Sequence, residues 1–431
     1  MGEATMRKPL AAGIVVVGLL AAGCGSHAAQ GHRGGPTPRP VLTTVLPAAD
    51  RTPASSAAAD AVFGASLYRE LSAGSSGKNL VFSPVSISLA LQMALEGARG
   101  KTATEMASVL HLSGQSTAQV AAAARALRTS LAPLARNRKE LVAISNALWP
   151  QSGMPLQQPF RQLLGSGFGA APQPLNFKGN PEAARAVINA AVSTATRGHI
   201  SQLLPPHSIG PLTRLVLTNA VYLNAKWASP FPSSRTDAEP FTRADGSRTA
   251  VKMMRQQASF GYQDGAGFTT VRLPYVGGQL AMTVVLPDLG RLGTVETMLA
   301  KDGMAAFDSR LTPTSIDLSM PRFSFHSTVD LTPKLKAMGM HAAFSATADF
   351  SGITGNKDIA VSAVLHQAQI QVGEKGTEAS AATAVIIGVL AAPGAPAIPA
   401  VDLDRPFLFA ITDVPTGAPL FLGRVMDPAA G

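Results

Sequence analysis

Ser83 and Ser86, three apart in F-S-P-V-S-I-S, together with Asn219 and His366, are of the residue types that build a nucleophilic site. A serine oxygen attacks when an imidazole takes its proton and a third group orients that imidazole. No carboxylate orienter is indicated beside these four. The chain also has no G-x-S-x-G elbow, H-E-x-x-H, P-loop or dinucleotide fingerprint. Its eight histidines are scattered, with no spacing suited to a metal. More is said by residues 373–387, G-E-K-G-T-E-A-S-A-A-T-A-V-I-I. A charged, glycine-broken start leads into small side chains without proline, then β-branched residues, then a proline-rich stretch from Pro393 to Pro399.

Such a segment can be exposed in one state and a strand in another. With a period of two, Thr377, Ala379, Ala381, Thr383, Val385 and Ile387 face one way, and Glu378, Ser380 and Ala382 the other. The small face could slide into a packed sheet without prying neighbours apart. An Ala-rich helix is the competing reading, since Ala, Glu and Lys favour helix, and periodicity alone leaves both open.

The elements around this segment are mixed. Helices are predicted at 57–71, 86–95, 102–110 and 117–131, and strands at 215–223, 279–286 and 406–411. Helices and strands without regular βαβ alternation indicate an α+β fold. A composition of 46% hydrophobic and 14% charged residues supports a substantial core and excludes disorder as the dominant state. A length of 431 residues suggests two or three domains, yet no linker interrupts residues 63–428.

The segment at 373–387 resembles the reactive-loop hinge of serpins, and the resemblance continues along nearly the whole chain. V-S-A-V-L-H-Q-A from Val361 resembles the strand that feeds the hinge. R-P-F-L-F-A-I-T-D from Arg405 and P-L-F-L-G-R-V-M-D-P from Pro419 resemble the C-terminal strands. F-S-P-V-S-I-S, T-N-A-V-Y-L-N-A-K-W from Thr218, V-K-M-M from Val251, L-P-Y from Leu273 and M-P-R-F from Met320 stand in the family's order. The resemblance implies one domain over residues 57–428. Its fold would be a large central mixed β-sheet, two further sheets, surrounding helices and an exposed reactive-centre loop.

The resemblance also gives roles to residues. Ser83, Ser86, Asn219 and His366 match a buried hydrogen-bonded network, the shutter, beneath the centre of the main sheet. A re-pairable polar network there would lower the barrier to opening. Trp227 matches the tryptophan of the breach, where the loop first inserts, although A-K-W replaces the common G-x-W and Asn224 a frequent lysine. Glu374 matches a hinge glutamate that pairs with a basic residue, and Arg322 of M-P-R-F fits as its partner. The hinge would comprise Glu374, Gly376, Thr377, Glu378, Ala379, Ser380, Ala381, Ala382 and Thr383.

The implied activity is suicide inhibition of a serine protease. Counting from Gly376, the scissile bond falls at Leu390–Ala391, which suits a chymotrypsin-like, elastase-like or subtilisin-like target. No Lys or Arg occurs between Lys375 and Arg405, which disfavours a trypsin-like one. Once cut, about fifteen residues at roughly 3.3 Å each would carry the acylated protease some 50 Å. The chain itself is then no enzyme, needs neither cofactor nor metal, and works as a monomer. A non-inhibitory member acting as carrier, chaperone or plain substrate would share the framework motifs. An exported solute-binding lipoprotein would leave them unexplained.

Arg7 and Lys8 precede an apolar stretch at 10–22 that is short for a bilayer span and ends in small residues, as signal peptides do. Cys24, the sole cysteine, follows Ala21-Ala22-Gly23 in a lipobox-like context, so residues 1–24 read as a signal segment and Cys24 as a lipidation site. A bacterial, exported, membrane-anchored or extracellular protein follows, with no intramolecular disulfide. Residues 25–56, rich in Gly, Pro, Ala and Ser, read as a flexible tether. The net charge of +10 is densest at Arg125, Arg128, Arg136, Arg138 and Lys139. Pro133 interrupts this cluster and no aromatics interleave it, so it reads as a solvated helix face, with polyanion binding weakly supported and nucleic-acid binding unsupported.

Overall fold

The computed structural model describes residues 56–75, 77–136, 141–377 and 397–430. The signal segment with Cys24, the tether up to residue 55, Arg138 and Lys139, the hinge from Glu378 to Thr383, and the Leu390–Ala391 bond lie outside the described residues.

In chain order the helices are α1 (Ser56–Ser72), α2 (Pro84–Leu95), α3 (Gly100–Val109), α4 (Thr117–Arg136), α5 (Gln158–Leu163), α6 (Pro181–Ala195), α7 (Leu292–Asp302), α8 (Ala305–Asp308), α9 (Thr332–Ala337) and α10 (Ser351–Thr354). The strands are β1 (Leu80–Phe82), β2 (Leu141–Pro150), β3 (Leu215–Lys226), β4 (Thr236–Thr242), β5 (Arg248–Gly265), β6 (Phe268–Pro274), β7 (Leu280–Pro287), β8 (Thr312–Pro321), β9 (Phe323–Asp330), β10 (Ala363–Gly373), β11 (Gly376–Thr377), β12 (Ala400–Asp402), β13 (Phe407–Asp413) and β14 (Ala418–Val425). Several boundaries shift from those expected: α2 and α3 each begin two residues earlier, and β3 runs three residues further, to Lys226. Ser56, counted with the tether, opens α1, and α4 runs beyond Leu131 through Pro133 to Arg136. A proline costs a helix one backbone bond, which is tolerable in a last turn.

Local sequence explains the elements that matter most. Ser83 caps α2 by accepting from the Ser86 N–H at 3.3 Å, and Pro84 fits the first turn, where no N–H bond is needed. All twelve residues of α2 are buried, as a helix apolar all round must be. The helix shares one core with Leu217 and Val221 of β3, Phe409 of β13 and Phe421 of β14. Strand β10 alternates: Val364, His366, Ala368, Ile370 and Val372 point inward, and the glutamines between them are more exposed.

Among the described residues the strands form two sheets, a mixed five-stranded sheet in the order β2-β3-β11-β10-β9 and a nine-stranded one. The two further sheets expected are continuous here. The 18-residue β5 carries β4 along residues 248–254 and β6 along 261–265, while β8 pairs with it over 253–262 and joins both regions. The central feature of the five-stranded sheet is a parallel ladder of six residue pairs, from Ala363↔Val216 to Ala368↔Val221. Above it β3 and β10 part, and β11 lies between them.

Candidate functional site

The chain turns back on itself after β10. Glu374 and Lys375 form the turn, and Gly376–Thr377 return as β11, antiparallel both to Val372–Gly373 and to Ala225–Lys226. Only glycine fits at 376: its φ is 148°, and a Cβ would collide with the Ala225 carbonyl oxygen and lie 2.7 Å from the Lys226 Cα. Thr377 is 2% exposed, and its hydroxyl lies 2.6 Å from that of Tyr275. Gly376 and Thr377 of the hinge are thus seated in the sheet.

Three groups hold this turn. Trp227 stacks on Tyr275, centroids 4.5 Å apart and planes 15° from parallel, and donates from Nε1 to the Gly373 carbonyl at 3.0 Å. The backbone N–H groups of Trp227 and Phe231 donate to the carbonyls of Lys375 and Glu374 at 2.9 and 2.8 Å. The third is the acid–base pair: Arg322 donates from Nε to Glu374 Oε1 at 2.8 Å and also from Nη2, and the Thr236 hydroxyl donates to the same oxygen at 2.8 Å. Burial pushes the Glu374 carboxyl up, but the bonds from Arg322 and Thr236 outweigh it and hold it below the ordinary value. Burial also drives the Tyr275 phenol up, so it stays a neutral hydroxyl.

Beneath the ladder lies the second group. His366 and Asn219 are register partners across β10 and β3, and Asn146 of β2 faces Asn219 on the next strand. His366 Nε2 accepts the Ser83 N–H at 3.2 Å, so the ring proton sits on Nδ1 and is donated to Asn219 Oδ1 at 2.6 Å. The Asn219 amide donates to Asn146 Oδ1 at 2.5 Å and to Ser86 Oγ. Burial pushes the imidazole down to about 3. A second ring proton would also point Nε2–H at the Ser83 N–H, donor against donor.

This geometry excludes the nucleophilic reading. Neither serine hydroxyl is bonded to the imidazole, whose two nitrogens are engaged elsewhere, and Ser83, Ser86 and His366 are wholly buried. What the arrangement can do is hold two central strands through side chains that could re-pair after separation. Sequence reading missed Asn146, Tyr275 and Thr236. Asn146 was visible as a polar residue within A-I-S-N-A-L-W of a largely apolar strand, and Tyr275 within L-P-Y, without a cue to its partner. Of the basic cluster, Arg125 and Arg128 are exposed on α4, and Arg125 donates to the Ser166 carbonyl at 3.0 Å, as on an ordinary solvated face.

A family model described as Serpin (serine protease inhibitor) matches residues 58–428. An uncharacterized serpin-like protein of Thermococcus kodakarensis is 37% identical over 366 residues, covering 85% of this chain and 84% of its own. Plasminogen activator inhibitor 1 of Sus scrofa is 31% identical over 374 residues, covering 85% of this chain and 91% of its own. Among solved structures, human thyroxine-binding globulin complexed with thyroxine matches with a TM-score of 0.78 at 29% identity, over 88% of this chain and all of that one.

Proposed function

The chain belongs to the serpin family, and from that membership we propose that it inhibits serine proteases as a suicide substrate. The observation that carries this reading is β11: Gly376 and Thr377 already lie between β3 and β10, where an inserting loop must begin. The residues that follow, Glu378 to Thr383, are mostly small and contain no proline.

The target's serine attacks the Leu390 carbonyl, the bond to Ala391 breaks, and the amine leaves with the new N-terminus. Before water cleaves the acyl ester, the freed loop continues from Thr377 into the central sheet. It must part the six pairs of the β3–β10 ladder, including the His366–Asn219 rung. Insertion converts that ladder into two antiparallel ones, and the added backbone bonds drive the change. Rate decides between trap and substrate, and small hinge residues favour the trap.

We propose further that residues 57–428 act as one domain carried outside the cell, tethered through a lipidated Cys24. The scale of travel, about 3.3 Å per inserted residue, is enough to drag the protease across the molecule. A carrier role is the second reading, supported by the likeness to thyroxine-binding globulin complexed with thyroxine. Incubation with chymotrypsin and with pancreatic elastase separates the two. The inhibitor gives an adduct that survives SDS and releases a peptide beginning at Ala391. Clean cleavage without adduct across a broad protease panel overturns the inhibitor reading.

A further inference from the structure

We propose that a cationic strip beside the two ends of the reactive loop, made by Arg248, Lys252, Arg322, Lys375 and Lys226, docks an acidic surface of the target protease. The proposal rests on the inhibitor reading and names the kind of target it takes.

The strip follows from strand parity. Neighbours along a strand face opposite ways, and register partners face the same way. Lys252 of β5 is in register with Ala238 of β4, and its carbonyl accepts the Arg322 N–H at 2.8 Å where β8 gives way to β9. Arg248 is four residues back along β5, on the same face, in register with Thr242. Arg248, Lys252 and Arg322 are all exposed. The carboxylates of these strands go the other way. Asp237 is in register with Met253, Glu239 with Val251, Asp317 with Gln257, and Asp402 with Ser319, itself the partner of Arg255. All four therefore share the face of Arg255, which Glu239 meets at 2.6 Å.

The strip continues toward the five-stranded sheet. Arg322 is bonded to Glu374, Lys375 follows Glu374 in the turn, and Lys226 is in register with Gly376. Glu374 neutralises Arg322. Among the described residues, none of the other four cations lies within ion-pair distance of a carboxylate. Charge is thus segregated by face, and that segregation, rather than the net charge of the chain, marks a surface for an anion.

Its position selects the partner. The loop departs from β11, whose turn is bonded to Arg322, and rejoins the fold at β12, which pairs with β8 at Ser319, three residues before Arg322. A protease engaged by the loop stands over these cations. Opposite charge at such a rim steers encounter and raises association rates by about tenfold or more at low salt, whereas a basic protease is repelled. A sulfated polysaccharide has no need of the loop's two anchor points, but the protein that the loop engages meets the strip in every encounter.

The test uses the full chain and chymotrypsin in two forms, native and with its lysines succinylated at the zymogen stage, which turns cations into carboxylates and spares the active site. Adduct rates are divided by each form's turnover of a small uncharged peptide ester. In about 0.02 M salt the succinylated form should be trapped at least about tenfold faster. The advantage should fall below about twofold in about 0.5 M salt, where the screening length is about 4 Å. Arg248→Glu combined with Lys252→Glu should remove the preference. Should that variant fail to fold, the salt titration of the wild type decides. Equal rates at low salt, or a preference that survives high salt or the double charge reversal, overturn the strip. Acceleration of the native form by dextran sulfate, with no preference for the succinylated form, assigns the strip to a polyanion and overturns the proposal as well. No adduct with either form strikes the inhibitor reading and the strip with it, so the two failures differ in what is seen on the gel.

Discussion

His366 and Asn219 occupy the same rung of the parallel ladder between β10 and β3 and are joined by a 2.6 Å hydrogen bond beneath the sheet. The imidazole is neutral in the fold, held down to about 3 by burial, whereas the unfolded chain protonates it near 6.5. The unfolded state therefore binds the extra proton, and stability falls with pH only below about 6.5. This contribution is intact above that value and is lost progressively toward pH 3, at up to about 1.4 kcal/mol per unit. His366→Gln keeps an acceptor for the Ser83 N–H and a donor for Asn219 but does not titrate. Urea midpoints between pH 7 and pH 4.5 should fall less steeply in His366→Gln than in the wild type. Parallel slopes would show that His366 does not carry the titration.

The Arg322–Glu374 pair closes the turn that sets β11 in place. Glu374 is nearly buried, but the Arg322 side chain is 48% exposed, so solvent screening limits the pair to about 1 kcal/mol. Glu374→Arg and Arg322→Glu should each lower the rate of adduct formation several-fold. The double swap should recover most of it. Strict additivity of the two losses would mean that the pair does not act as a unit.

Much of this arrangement was legible in the chain because it is carried by short, local strings. F-S-P-V-S-I-S contains both the cap and the first turn of α2, and the alternation in V-L-H-Q-A-Q-I-Q-V puts His366 on the buried side. The Arg322–Glu374 pair followed from resemblance, since 52 residues separate its members and no periodicity links them. Asn146 and Tyr275 escaped for the same physical reason. Their roles come from register across strands, and register depends on tertiary pairing. The seating of β11 was equally unreadable: its two residues pair with strands whose separation depends on the whole sheet.

Leu390 is assigned by counting fifteen residues from Gly376. Leu390→Arg should move adduct formation from chymotrypsin to trypsin by at least about tenfold, because a buried guanidinium in the specificity pocket needs a carboxylate there. The released peptide should still begin at Ala391. An unchanged preference would place the scissile bond elsewhere in the loop.

Thr377 is tightly confined by its surroundings. It is 2% exposed, flanked by β3 and β10, and bonded through its hydroxyl to the fully buried Tyr275. An arginine there must either leave the sheet or place an unpaired charge inside it, at a cost of several kcal/mol. Thr377→Arg should leave the domain folded and Leu390–Ala391 cleavable, while the yield of SDS-stable adduct drops at least about tenfold. Tyr275→Phe removes one hydrogen bond, worth about 1 kcal/mol, and keeps the stack on Trp227. It should loosen β11 without blocking insertion, so adduct yield persists and only the rate changes. Circular dichroism and gel assays of the two variants side by side check both statements. Full inhibition by Thr377→Arg would refute insertion through this slot, whereas loss of adduct in Tyr275→Phe would make the hydroxyl itself a requirement of the trap.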